Sequence, residues 1–131
     1  PGIKIRGTEN SDYAIVNSMD SVKPYIQKSP FTQQPFEDGE FDLVLAIGPV
    51  YTLNLADAIQ CLKEIQRIGK GKSFITLGSY TNEDDFKLFR YWTLLGTTVL
   101  HEEEWVEVLK HVEYTGDYKF TGAKTLHLVR E

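Results

Sequence analysis

A carboxylate at position 9 follows the short alternating run Ile3-Lys4-Ile5-Arg6-Gly7-Thr8 and precedes Ser11, a residue suited to start a helix. An acid just past the C-terminal end of a strand and just before a helix is placed to accept two hydrogen bonds from ribose hydroxyls. Taken alone, Glu9 also reads as a surface acid favoured by a helix dipole. The strand–helix–strand pattern downstream favours the ribose role. A second candidate is Ala46-Ile47-Gly48-Pro49-Val50-Tyr51. Glycine lets backbone approach a ligand closely, and a strand's C-terminal edge leaves peptide groups free to bind one. The same run serves equally as a plain strand-ending turn. Tyr80 and Trp92 are candidates to line a substrate pocket above the sheet. Tyr91 and Trp92, on a helical pattern, are also expected in the core.

Other chemistry finds little support. His101, His111 and His127 lack ligand-like spacing and cysteine companions, so no metal site is expected. Glu102, Glu103 and Glu104 read as the first turn of a helix, stabilised by its dipole. Cys61 sits on an amphipathic helix without a neighbouring His motif and reads as structural. The chain has neither a Gly-x-Ser-x-Gly elbow nor a Gly-x-x-x-x-Gly-Lys phosphate loop. No side chain stands out as a general base, so the catalytic residues stay unknown.

The elements that must position these residues follow from periodicity and punctuation. Ile3 to Glu9 reads as a strand. Ser11 caps a helix over Asp12 to Val22 with Ile15, Met19 and Val22 on one face, and Pro24 stops it. Tyr25 to Lys28 reads as a brief strand, and Ser29 to Glu40 as a loop. Phe41 to Ile47 is a near-continuous apolar strand, the pattern of a parallel strand covered on both faces. Asn54 caps a helix to Ile68, closed by Gly69 and Gly71. Ser73 to Ser79 is the next strand. Helices over Glu83 to Trp92 and Glu102 to His111 follow. Tyr114 to Tyr118 and Thr125 to Val129 read as an antiparallel β pair. Helices that regularly separate strands make the class α/β.

The 131 residues suffice for one domain with a real core. Hydrophobic residues make up 41% and charged residues 25%, an ordinary globular balance. A net charge of −5 argues against nucleic acid and anionic membrane as main partners. One cysteine allows no internal disulfide and fits a reducing, cytoplasmic setting. No apolar run approaches the roughly 18 residues that a membrane span needs.

Together these residues resemble the class I S-adenosylmethionine-dependent methyltransferases. Gly7-Thr8-Glu9-Asn10-Ser11-Asp12 is similar to the family's second strand, whose terminal acid holds the cofactor ribose. Pro35-Phe36-Glu37-Asp38-Gly39-Glu40-Phe41-Asp42-Leu43-Val44 resembles the approach to its fourth strand. Leu55 to Gly71 resembles the following helix, and Lys72 to Tyr80 the fifth strand. The resemblance implies a Rossmann-like, mostly parallel sheet in a single truncated domain over residues 1–131, lacking the usual first strand. It implies S-adenosylmethionine as cofactor, with Glu9, Asn10, Phe31, Ala46, Ile47, Gly48 and Tyr51 around it. A small-molecule methyl acceptor is expected; the alternative is a non-catalytic domain that kept the fold as a binding or assembly module. A phosphoreceiver-like reading fails, because the strand ending Leu45-Ala46-Ile47-Gly48 offers no aspartate.

Two departures from the family stand out. Its glycine-rich loop has no counterpart. Pro30 stands where an Asp or Asn commonly meets the adenine amine, leaving Phe31 to contact adenine by its ring or backbone N–H. In the family's order the first strand lies between the second and the fourth. The strands Ile3–Glu9 and Phe41–Ile47 are therefore expected to close directly on each other or to meet a second copy in a homodimer, since buried unpaired backbone groups are costly.

Overall fold

A computed structural model describes residues 2–129; Pro1, Arg130 and Glu131 lie outside them. Strand β1 (Gly7–Glu9) leads to α1 (Asp12–Val16), capped by Ser11, whose hydroxyl accepts from the Ala14 N–H at 3.2 Å. The helix ends well short of Val22. The Asn17 amide turns back onto the Tyr13 carbonyl at 2.8 Å, and the Ser18 hydroxyl donates to the Ile15 carbonyl at 2.7 Å. The Ile15 carbonyl, which the next helical N–H would need, is thereby taken by a side chain. A 3-10 turn, Lys23–Tyr25, delivers the chain to β2 (Ile26–Lys28), which runs parallel to β1 with Gly7 opposite Ile26 and Glu9 opposite Lys28.

The larger sheet follows. It holds β3 (Val44–Ala46), β4 (Ser73–Tyr80), β5 (Leu100–His101) and β6 (Asp117–Thr121). Between them lie α2 (Pro49–Thr52), α3 (Leu55–Ile68), α4 (Glu83–Trp92) and α5 (Glu102–His111). The three long helices each begin at a capping side chain, the first at the Asn54 that the sequence marks. Asn54 accepts from the Asp57 N–H and Asn82 from the Asp85 N–H, both at 3.0 Å. At the start of α5 the Glu103 N–H donates to His101 Nδ1 at 3.2 Å and the His101 N–H donates to the Glu104 carboxylate at 2.9 Å.

Strand β4 is the spine. Phe74 lies opposite Leu45 of β3 on one edge and Asp117 of β6 on the other, while Ser79 and Tyr80 lie opposite Leu100 and His101 of β5. Alternation sends Ile75 and Leu77 to one face, where they are fully buried. There they meet Ala58, Cys61, Leu62 and Ile65 of α3 and Trp105 and Leu109 of α5. Trp105 is wholly enclosed, and its indole N–H donates to the Gly78 carbonyl at 2.8 Å, so burial leaves no polar group unpaired there. Phe89, Val99 and Ala123 form a smaller second cluster.

Four expectations are corrected. The antiparallel C-terminal pair is absent: all described strand pairings are parallel, and β6 runs alongside β4. Residues 122–129 turn instead, because Leu126 N–H donates to the Gly122 carbonyl and Leu128 N–H to the Ala123 carbonyl. Strand β3 is shorter than the apolar run and covered on one face only; Leu43, Leu45 and Ile47 are exposed. Tyr91 is 84% exposed and Trp92 half exposed, so neither is core.

The fourth correction concerns direct closure, one of the two outcomes expected, the other being contact with a second copy. β1 pairs with β2 and β3 with β4, and β1 and β3 do not pair with each other. A cleft of about 540 Å³ separates them, lined among others by Ile5, Gly7, Leu43, Leu45 and Cys61. Residues 2–6, the first part of the expected strand, are exposed, so water reaches their backbone. The two sheets are tied instead through the loop before β3. Gly39 N–H donates to the Arg67 carbonyl at 2.8 Å and Phe41 N–H to the Ile68 carbonyl at 2.9 Å.

Candidate functional site

Glu9 ends β1 with its carboxylate turned toward the start of α1. Oε1 accepts from the backbone N–H of Asn10 at 2.9 Å and of Ser11 at 3.0 Å. Two donors on one oxygen fix the carboxylate and leave Oε2 for another partner. The backbone is fixed too, since Ser29 N–H donates to the Glu9 carbonyl at 3.1 Å.

Gly48 follows β3 with φ +96°, a left-handed conformation that glycine adopts freely and other residues rarely do. Its N–H donates to the Thr76 hydroxyl of β4 at 2.8 Å, which pins the turn to the sheet. Pro49 then opens α2, where its lack of an N–H costs nothing. Tyr51, on that helix, lays its ring over Gly78, where an added Cβ would come within 3.0 Å of the ring carbon Cγ.

A cavity of about 1010 Å³ lies between these two strand ends. Glu9, Asn10, Phe31, Ala46, Ile47, Gly48 and Tyr51 all line it, so the seven residues singled out around a cofactor come together. Tyr80 and Trp92, the two substrate candidates, do not line it. The Tyr80 ring packs against Phe86 with centroids 4.9 Å apart and against His101 at 5.6 Å, and Trp92 stacks on Phe89 at 5.7 Å. Both rings thus pack against aromatic neighbours away from this lining. Sequence reasoning missed Leu94, Leu95 and Thr97, which line the cavity from the loop between α4 and β5. No motif marks them; an apolar pair beside Gly96 in a loop was the available signal.

The residue pair Glu64–Arg67 was missed as well. Arg67 bonds Glu64 through two nitrogens, both at 2.8 Å, and reaches the Phe36 carbonyl, the Gln34 carbonyl and Asp38. Glu64 also accepts from the Gln34 N–H at 2.7 Å. The Arg67 hydrogen bonds hold the Glu64 carboxyl below its usual range, against the opposing effect of burial. This network clamps the loop after Phe31, and with it one wall of the cavity, to α3. Cys61, beneath the cleft, is buried, and burial pushes its thiol up to about 12, so it stays a protonated, inert core group.

Chemically the cavity is two-sided. Thr8, Glu9, Asn10 and Ser11 give a polar edge, and Ile47, Leu94 and Leu95 an apolar one. Of the residues that line it, only Glu9 and Tyr51 carry an acidic side chain. No helix among the described residues is long and apolar enough to cross a membrane.

No curated protein matches the chain in sequence. The family model for a methyltransferase domain matches residues 2–77, more than half of the chain and the whole span from before Glu9 to the middle of β4. With a mostly parallel α/β sheet and a cavity at the strand ends inside that span, the chain belongs to the class I S-adenosylmethionine-dependent methyltransferase family.

Proposed function

We propose that the chain binds S-adenosylmethionine in the cavity between β1 and β3 and methylates a small molecule there. The observation that carries this reading is the convergence of Glu9, Asn10, Phe31, Ala46, Ile47, Gly48 and Tyr51 on one cavity. The residues suit the adenosyl part of the cofactor. Glu9 has one carboxylate oxygen held by backbone and the other left over for ribose hydroxyls. Gly48 has no Cβ to block a ligand's approach, and with its N–H held by Thr76 it offers its carbonyl. The half-buried Phe31 ring supplies an apolar face for a flat base. The volume is ample for a ligand of this size.

The cofactor, when bound, supplies an electrophilic methyl group on a sulfonium. The chain's part is to bind and to orient, which carries much of the rate in such transfers. Glu9 is the one carboxylate among the lining residues, and on this reading its open oxygen is taken by the ribose hydroxyls, so positioning is the working principle.

The test is calorimetric titration of S-adenosylhomocysteine into the full chain, into the millimolar range. Binding is expected to be weak, because no glycine-rich loop borders the cavity among the described residues and Pro30 has no N–H to offer. Glu9→Gln should weaken it by about 1–3 kcal/mol, the scale of a charge-assisted hydrogen bond. An unchanged dissociation constant sinks the ribose role, and tight stoichiometric binding would show the site to be built differently.

A second reading is a domain that binds the cofactor without catalysing. With Glu9 given to the ribose, the lining holds no second carboxylate and no imidazole to take a proton, which favours it. Retention of all label on the cofactor, across a panel of thiols, amines and phenols, would select that reading.

A further inference from the structure

We infer that Leu94 and Leu95 form the acceptor-side wall of the cavity and select methyl acceptors with an apolar body. The inference rests on the methyl-transfer reading of this cavity and adds the chemical class of its substrate.

Leu94 is 93% exposed and Leu95 75% exposed, and both line the cavity that Glu9 and Gly48 line. Single exposed leucines are ordinary on a protein surface. These two are adjacent, and the loop that carries them is held firmly. The N–H groups of Thr97 and Thr98 both donate to the Tyr51 carbonyl, at 2.8 and 3.0 Å. The Thr98 hydroxyl donates to the Leu53 carbonyl at 2.5 Å. Gly96 N–H donates to the Thr93 hydroxyl at 3.0 Å, and the Arg90 guanidinium donates to the Gly96 carbonyl. Gly96, Thr98 and Val99 are buried. The backbone thus anchors on both sides of the pair while their side chains stay in water.

A loop fixed by its backbone presents its side chains in a defined place at little further cost in entropy. Here that place is fixed relative to Tyr51, the residue that also borders Gly48. Glu9, Asn10 and Ser11, across the cavity, are polar. A ligand that spans the cavity therefore meets the polar Glu9 edge and, on the loop after α4, the two leucines. The polar edge suits a ribose; the leucines suit what receives the methyl group. The leucines also lie beyond residue 77, outside the part that matches the family model, so the cofactor side and the acceptor side come from different stretches of chain.

The experiment uses the full chain with ¹³C-labelled leucine and isoleucine methyls, titrated with ethanol, 1-butanol and 1-octanol as neutral probes. The Leu94 and Leu95 methyl signals should move saturably, with affinity rising about fourfold per added methylene. Leu94→Ser/Leu95→Ser should weaken 1-octanol at least tenfold, and Leu94→Met/Leu95→Met should restore it. The affinity for S-adenosylhomocysteine, measured in parallel, should stay within twofold in both variants. Shifts confined to Leu43 and Leu45 of the cleft, or an unchanged response in the serine variant, would overturn the inference. Failure of S-adenosylhomocysteine to bind any variant, with the leucine response intact, would count against the cofactor reading alone and leave the apolar wall standing.

Discussion

The β1–β2 pair and the sheet around β4 are built to different standards. Between residues 2 and 45 only Ser29 is buried, whereas every apolar core residue lies from Ala46 onward. The β4 sheet has α3 and α5 packed on one face and the Phe89 cluster as a second core. The β1–β2 pair is two short strands attached through hydrogen bonds of the 29–43 loop to α3. The cavity lies across this difference. Glu9 stands on the lightly packed part and Gly48 on the tightly packed one. A ligand that touches both must fix the first against the second, and that ordering is subtracted from its affinity.

Four substitutions break or sharpen the comparison, in descending order of effect. Trp105→Ala should cost about 3–5 kcal/mol in urea unfolding, from a cavity in the core and the loss of the bond to the Gly78 carbonyl. A cost below about 1 kcal/mol would mean that the β4 core is not the stable part.

Arg67→Met should cost about 2–3 kcal/mol, because Glu64 and two backbone carbonyls lose their donor. Its acid limb should also flatten. In the parent, Arg67 holds the Glu64 carboxyl below its ordinary value of 4.5. A lowered folded value means stability that is present above about pH 4.5 and lost as pH falls below it. Unfolding midpoints compared at neutral pH and at about pH 3.5 should therefore fall more in the parent than in Arg67→Met; equal falls would remove the clamp from the account.

Gly48→Ala should cost about 1–2 kcal/mol from backbone conformation alone, since the space is open: the Tyr51 hydroxyl would lie 3.7 Å from the new Cβ. A neutral result would show that the turn relaxes to another conformation. Ile5→Ala, in the exposed segment before β1, should change stability by less than about 0.5 kcal/mol. A loss as large as that of Trp105→Ala would erase the distinction between the two parts.

What the sequence made legible follows the same division. The bounds of α3, α4 and α5 could be read because Asn54, Asn82 and the acids after His101 act within one turn, so the information is local. The seven cavity residues could be read because strand ends converge in this class of fold. The C-terminal segment misled because Leu126 and Leu128 alternate like a strand, yet turn hydrogen bonds claim their backbone first. That β6 would lie along β4 depends on residues some forty positions apart. The length of β3 misled for a related reason. Leu43 and Ile47 have strand character but flank a ladder of three residues, and nothing in their own types reports the lack of a partner on that edge. Leu94 and Leu95 form no pattern; only the hydrogen bonds of their neighbours to Tyr51 and Leu53 show where they stand.

Gly78 sits in the middle of β4 and does not line the cavity, yet the Tyr51 ring rests on it. The ring is therefore held at the depth that a bare backbone permits. Any side chain at position 78 would act as a shim, lifting Tyr51 and with it the carbonyl on which Thr97 and Thr98 hang. The width of the cavity is thus set from behind, at a residue that does not line it, and the Tyr51 wall and the loop hung on it would be shifted together by a single methyl group.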